Sequence, residues 1–284
     1  MTYGTIVVCG GGCYGGYYVR QLARARSAGV MTFEQLVVVD RDPTCTVAQL
    51  ADGIARDDEA AIATHAWRVQ RAGTGDDEGP SQQAAYRHLP VSVVVSDWAP
   101  FFDRWLADAI ASPNAAVRDA VVPSPLMPHL LADWVSSRVC AHRPYAAVQR
   151  VPLSATPDTP WQRAAPDLAH YASFATWMCP INCIEPPRCP ETRGPRDWTM
   201  PVAVRDAASV AAAHGTPYDV VALFHTTHRR YGVGMFDVTD ALAVDAAIGA
   251  ASEPAALRIL VASVSHCHGA MAELRVGPPV MSLS

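Results

Sequence analysis

The chain has 284 residues, a formal net charge of -5 at pH 7, and a residue content that is half hydrophobic. That length buries a sizeable core in one large or two smaller domains, and the acidic balance argues against a broad nucleic-acid footprint. All 22 basic residues are arginine, which excludes Schiff-base, phosphate-loop and general-base lysine chemistry.

The first element expected is a strand, Thr5–Cys9 in "TIVVCG". The N-terminus enters it directly, with no basic lead or cleavage site, so a cytoplasmic protein without a signal peptide is expected. No stretch of eighteen residues is free of polar or charged side chains, so no membrane span is expected. Further apolar runs at Leu36–Val39, Val93–Val95, Ala120–Val122, Val220–Phe224 and Ile259–Val264 also read as strands. They are continuous rather than alternating, which suits sheets covered on both faces. Helices are expected between them at Gly16–Ala28, Phe101–Ala111 and Met127–Val139, then from Pro201 to His214. A last one follows at Asp240–Ala250, with Thr239 as its N-cap. Residues 72–82 read as a surface loop, and residues 152–200 as a proline-rich irregular insertion.

This alternation predicts an α/β protein: an N-terminal doubly wound, Rossmann-type parallel sheet over residues 1–150 and a Pro/Cys-rich irregular insertion over 151–200. A smaller C-terminal α/β unit over 201–284 completes the site.

Gly10-x-Gly12-x-x-Gly15 lies between the first strand and the first helix. Gly10 permits the tight turn, Gly12 lets the backbone approach a pyrophosphate, and Gly15 lets helix and strand pack closely. The second strand ends at Asp40, about where a carboxylate accepts hydrogen bonds from a ribose diol. On these residues the chain resembles the Rossmann-fold NAD(P)-binding superfamily, over the first 40 residues and more loosely to about 150. The resemblance implies Gly10, Gly12 and Gly15 at the pyrophosphate and Asp40 at the adenosine ribose. Asp40 favours NAD, and Arg41 beside it keeps NADP open.

Eight cysteines in a chain expected to be cytoplasmic do not read as a disulfide framework. Cys179, Cys183 and Cys189 form a C-x3-C-x5-C cluster stiffened by prolines, and soft thiolates of this kind bind iron–sulfur clusters or zinc. Cys179-Pro180 and Cys189-Pro190 resemble ferredoxin-type cluster loops, although the spacing matches neither common pattern. An iron–sulfur cluster is the first expectation; structural zinc and plain buried or surface thiols are the alternatives. The fourth ligand is left open among Cys140, Cys13, Cys267, a histidine and Glu185. Cys9 and Cys13 read as inert.

Four residues are candidate catalytic groups. Asp97 and His129 follow strand ends, where ligands bind in open α/β sheets, although Asp97 also suits a helix cap. His266 and His268 are two apart on an expected strand and so share a face, with Cys267 opposite. With His225 and His228 they make a metal site if their strands are neighbours; the other reading is separate histidines at a sheet edge. Arg229 and Arg230 suit either an anionic substrate group or solvated surface.

The function expected is an NAD(P)-binding oxidoreductase with a cysteine-ligated iron–sulfur centre acting on a small molecule. No nucleic-acid or membrane partner is expected, and a homodimer is left open. A dinucleotide-sensing regulatory protein with a redox-reporting cluster or zinc is the alternative. An adenylate-forming or group-transfer enzyme using zinc is a third reading.

Overall fold

The computed structural model describes residues 1–56, 58, 60, 85–124, 130–175, 183–251 and 256–279. The chain falls into two compact units. One comprises Met1–Leu126, Ile181–Ile184 and Thr227–Val238; the other comprises Met127–Pro180, Glu185–Thr226 and Thr239–Ser284. The expected loop at 72–82 and the start of the expected helix at 127 lie outside the described residues.

The first unit opens β1 (Thr2–Cys9), α1 (Cys13–Ser27), β2 (Thr32–Asp40) and α2 (Thr46–Ala55), followed by β3 (Val91–Val95) and α3 (Trp98–Ala111). A short helix, α4 (Pro113–Ala116), precedes β4 (Ala120–Val122). β3, β2, β1 and β4 pair in that order, all parallel. Every residue of β1 from Ile6 to Cys9 is buried, so both faces of the strand are covered, as its unbroken apolar run requires. Ile6 and Val8 join Leu36, Val38 and Val122 in a core completed by Val19 and Leu22 of α1 and Val47 and Leu50 of α2. α3 packs against β2 and buries Phe101, Phe102 and Leu106.

The second unit holds α5 (Leu130–His142), β5 (Ala146–Val151), β6 (Trp161–Ala164), β7 (His170–Ser173), α6 (Met200–Ala213) and β8 (Val220–His225). β9 (Thr227–His228) and β10 (Gly234–Asp237) then return to the first unit, joined by a single 3-10 turn at Arg230–Gly232. α7 (Val238–Ala250), β11 (Leu257–Val264) and β12 (His268–Pro279) end the described chain. The second sheet runs β6-β7-β12-β11-β8, with β5 also paired to β12. Only β11 and β8 run parallel; the other pairs are antiparallel. Leu260, Ala262 and Val264 face Met200, Ala203 and Val204 of α6 in one core cluster. On α5, Trp134 packs edge-on against Phe224 of β8, with 6.0 Å between ring centroids.

The protein is therefore mixed α/β with two mixed sheets, and a doubly wound parallel sheet is not what forms. In the first sheet β10 joins β4 antiparallel, and β9 joins β10 antiparallel because a tight turn connects those two strands. A short turn permits only antiparallel neighbours; a parallel pair needs a crossover. Residues 151–200, expected to be irregular, carry β6 and β7. The first helix begins at Cys13 rather than Gly16, with Gly12 at its N-cap. The last begins at Val238, so Thr239 lies inside its first turn and is not the cap.

Candidate functional site

In the first unit the glycine loop is built by three separate steric demands. Gly10 has φ of +92°, which strains any residue with a Cβ, and its N–H donates to the Val39 carbonyl at 2.8 Å. A Cβ at Gly15 would sit 1.8 Å from the Gly10 carbonyl oxygen, so α1 and the loop meet closer than any side chain allows. A Cβ at Gly12 meets nothing within 4 Å. Gly12 is exposed and gives α1 no side-chain cap, so the first-turn N–H groups have no capping side chain.

Asp40 ends β2 and reaches across to the loop. One carboxylate oxygen accepts the Gly11 N–H at 2.6 Å and the other accepts the Asp42 N–H at 2.9 Å. Each oxygen keeps a lone pair for another donor. The Gly11 carbonyl accepts the Val47 N–H at 3.0 Å from the start of α2, so both backbone groups of Gly11 are held. Arg41 is exposed next to Asp40. Asp42, also exposed, accepts hydrogen bonds from the Thr44 hydroxyl and N–H, which hold its carboxyl below the usual range.

The cysteines flanking this loop differ in state. Cys9 is buried, and burial pushes its thiol up to about 12, against one hydrogen bond from the Ser124 backbone. Cys45 packs under Gly11, where burial also raises its thiol. Cys13 is exposed at the start of α1.

At the end of β3, Ser96 donates its N–H to the Asp40 carbonyl at 3.1 Å. Asp97 occupies the N-cap position of α3 but makes no side-chain cap hydrogen bond, and it is exposed. Trp98 donates its indole N–H to the Val39 carbonyl at 2.8 Å. Sequence reasoning passed over Trp98 because only the register of β2 against β3 brings it beside Val39.

The second unit gathers another set at the carboxyl ends of β8 and β11. His225 closes β8 opposite Val264, so these two strands are indeed neighbours. His266 and Cys267 lie in the turn between β11 and β12, and His268 begins β12, so His266 and His268 do not share one strand face. The reason is that the chain reverses there, with Ser265 N–H donating to the His268 carbonyl at 2.8 Å. His266 donates its N–H to Glu185 Oε1 at 3.1 Å, and His268 Nδ1 lies 3.0 Å from Ser173 Oγ. His228 belongs to β9 of the first unit. Arg229 there pairs with Asp237 at 2.8 Å and bonds Tyr3, while Arg230 is exposed.

Cys189 and Cys267 are both buried beside Arg196. Burial pushes the Cys189 thiol up but is outweighed by hydrogen bonds from Thr192 and from the Glu191 backbone, with Arg196 nearby; the net shift is downward. Burial raises the Cys267 thiol despite the Trp198 indole and Arg196, whose guanidinium also donates to its sulfur. This grouping was hidden in the sequence because 71 residues separate Arg196 from Cys267. Cys183 is half-buried and Cys140 exposed. Cys179 and His129 lie outside the described residues. Among the described residues no group of three or more His, Cys, Asp or Glu side chains is placed to hold a metal ion, and no helix is long and apolar enough to cross a membrane.

No curated protein and no solved structure matches the chain. A family model described as "Uncharacterized protein, C-terminal domain" matches residues 131–277, which is more than half of the sequence and includes both Cys189 and Cys267. The chain belongs to that uncharacterized C-terminal domain family.

Proposed function

We propose that the chain is a dinucleotide-dependent oxidoreductase that takes NAD in preference to NADP. The observation that carries this reading is the glycine loop: Gly15 is locked against Gly10, and Gly12 leaves open space before the uncapped start of α1. That combination offers backbone N–H groups and the positive end of a helix dipole to a pyrophosphate, which supports the reading. The strand order β3-β2-β1-β4, parallel throughout, supports a Rossmann-type half sheet at this point.

When bound, a nicotinamide dinucleotide supplies or accepts hydride. The residues of this chain bind and orient it. Gly12 admits the pyrophosphate, and Asp40, fixed by two backbone N–H groups, presents its remaining lone pairs to a ribose diol. The charges of Asp40 and Asp42 repel a 2′-phosphate, which favours NAD.

The cysteine segment enters the proposal as a soft-donor centre, with iron–sulfur first and zinc second. Cys189 supports it, since its sulfur already collects the hydrogen bonds a thiolate ligand wants. The described residues do not by themselves complete a ligand set.

Calorimetric titration with NADH, NADPH and ATP tests the reading, followed by anaerobic assay of NADH oxidation with chemical acceptors. Tighter binding of NADH than NADPH, with turnover, is the expected result. Preference for ATP would move the chain to the adenylate-forming class. Binding without turnover by any acceptor would make it a sensor.

A further inference from the structure

We propose that Trp98 is the platform on which the adenine base of the bound nucleotide stacks. The inference rests on the glycine loop being a nucleotide site, and it assigns the base-binding part of that site.

The position follows from register. β3 runs parallel to β2 with Val95 opposite Asp40, so the residues after Val95 emerge beside the carboxylate that faces the ribose. In open α/β sheets ligands occupy the crevice beyond the carboxyl ends of the strands, and Ser96 to Trp98 border that crevice. A ribose held at Asp40 carries its base within reach of this border.

The indole is fixed there rather than loosely exposed. Its N–H donates to the Val39 carbonyl at 2.8 Å, and the same carbonyl takes the Gly10 N–H at 2.8 Å. Both lone pairs of that oxygen are used, and the only polar atom of the indole is satisfied on the inward side. The benzo edge lies across Gly10, where a Cβ would come within 3.2 Å of the ring. The ring therefore spans the ends of β1 and β2, next to the loop that would hold the pyrophosphate.

Burial separates Trp98 from the aromatic residues that follow it. Phe101 and Phe102 are buried, and both contact Trp105. Trp98 is only half-buried, and Val95 next to it is 57 % exposed. An aromatic ring whose donor is already paired, left partly exposed at a strand-end crevice, offers apolar aromatic surface rather than a hydrogen bond. Planar bases stack on such a surface, and alanine substitution at stacking positions weakens binding about 5- to 150-fold per base.

The test uses adenosine diphosphate ribose, which carries the adenosine and pyrophosphate without nicotinamide, beside nicotinamide mononucleotide, which lacks adenine. Calorimetry and tryptophan fluorescence are measured on the wild type, Trp98→Phe and Trp98→Leu. The expected result has three parts. Adenosine diphosphate ribose quenches wild-type fluorescence, the quench disappears in Trp98→Phe while binding survives, and Trp98→Leu binds it about 5- to 150-fold more weakly with nicotinamide mononucleotide unaffected. Wild-type affinity in Trp98→Leu, or an undiminished quench in Trp98→Phe, overturns the assignment of Trp98 and leaves the nucleotide site standing. Failure of the wild type to bind any of these nucleotides overturns the site itself. Should Trp98→Leu misfold, the quench in Trp98→Phe decides alone.

Discussion

Two glycines three residues apart should fail in opposite ways when given one methyl group. At Gly15 the added Cβ would lie 1.8 Å from the Gly10 oxygen and 2.7 Å from its carbon, against a practical minimum of 3.0 Å. The obstacle is backbone, so the loop must move by more than an ångström. Overpacking of this kind costs about 1–3 kcal/mol, and an unyielding carbonyl puts Gly15→Ala near the upper end. With roughly 2–4 °C lost per kcal/mol, the melting temperature should fall by about 6–12 °C. At Gly12 the methyl meets nothing, and φ of -76° suits alanine. Gly12→Ala should therefore melt within about 1 kcal/mol of wild type, and removing glycine's freedom in the unfolded chain raises stability if anything. The same methyl occupies the space assigned to the pyrophosphate, so NADH affinity should fall at least about tenfold, which corresponds to ~1.4 kcal/mol. Differential scanning calorimetry and NADH titration on both variants give the four numbers needed. Wild-type NADH affinity in Gly12→Ala refutes the placement of the phosphate, and an undisturbed melting temperature in Gly15→Ala refutes the steric account of the loop.

If Asp40 faces the ribose as proposed, Asp40→Ser should raise NADPH affinity relative to NADH by about tenfold or more, because a charge opposing the 2′-phosphate disappears; paired titrations with the two cofactors check it. Glu273 is fully buried yet charged, accepting from Arg258 at 2.8 Å, Tyr218 at 2.9 Å and the Ser154 N–H at 2.8 Å. Glu273→Ala removes the carboxylate partner of Arg258, which keeps the Pro217 carbonyl and the Ser154 hydroxyl, and leaves the Tyr218 hydroxyl and the Ser154 N–H without their acceptor. It should cost about 3 kcal/mol in denaturant unfolding, the low end for a broken buried pair. Burial alone would raise the Glu273 carboxyl, but Arg258, Tyr218 and Ser154 outweigh it and hold it below the ordinary range. A depressed folded-state value means the stabilisation is complete above the ordinary glutamate pKa and is lost as pH falls through the lowered one. Unfolding measured from pH 7 down to pH 3 should show that loss in the wild type and a flatter profile in Glu273→Gln. Anaerobically purified protein should be brown, with broad absorption near ~400 nm, and Cys183→Ser should bleach it. Full iron content in that variant would remove Cys183 from the ligand set.

What the sequence discloses and conceals follows from how far apart the interacting residues lie. β4 was legible to the residue as Ala120–Val122, and β1, β2, β3, β8 and β11 each contain the apolar run that announced them. Each of these strands carries a run of apolar side chains, so local hydrophobicity is enough to reveal it even where, as in β3, the strand is only partly buried. β12 stayed hidden because it buries a glutamate. Glu273 is tolerable only beside Arg258, fifteen residues earlier and on the neighbouring strand, and no local window contains both. β6 and β7 were missed for a related reason: Gln162 and His170 satisfy each other across the pair at 3.0 Å, so their polarity does not mark a loop. The candidate sites divide along the same line. The glycine loop is contiguous and its steric demands act between neighbours, so it could be read directly. Trp98 beside Val39, and Arg196 beside Cys267, depend on strand register and on chain reversal. Register places every side chain of a strand at once, and a one-residue slip of β3 against β2 would carry Ser96 away from Asp40. The glycine loop proposed for the nucleotide is thus set by short-range sterics, while the residues that would give such a site selectivity are set by the pairing of strands far apart in sequence.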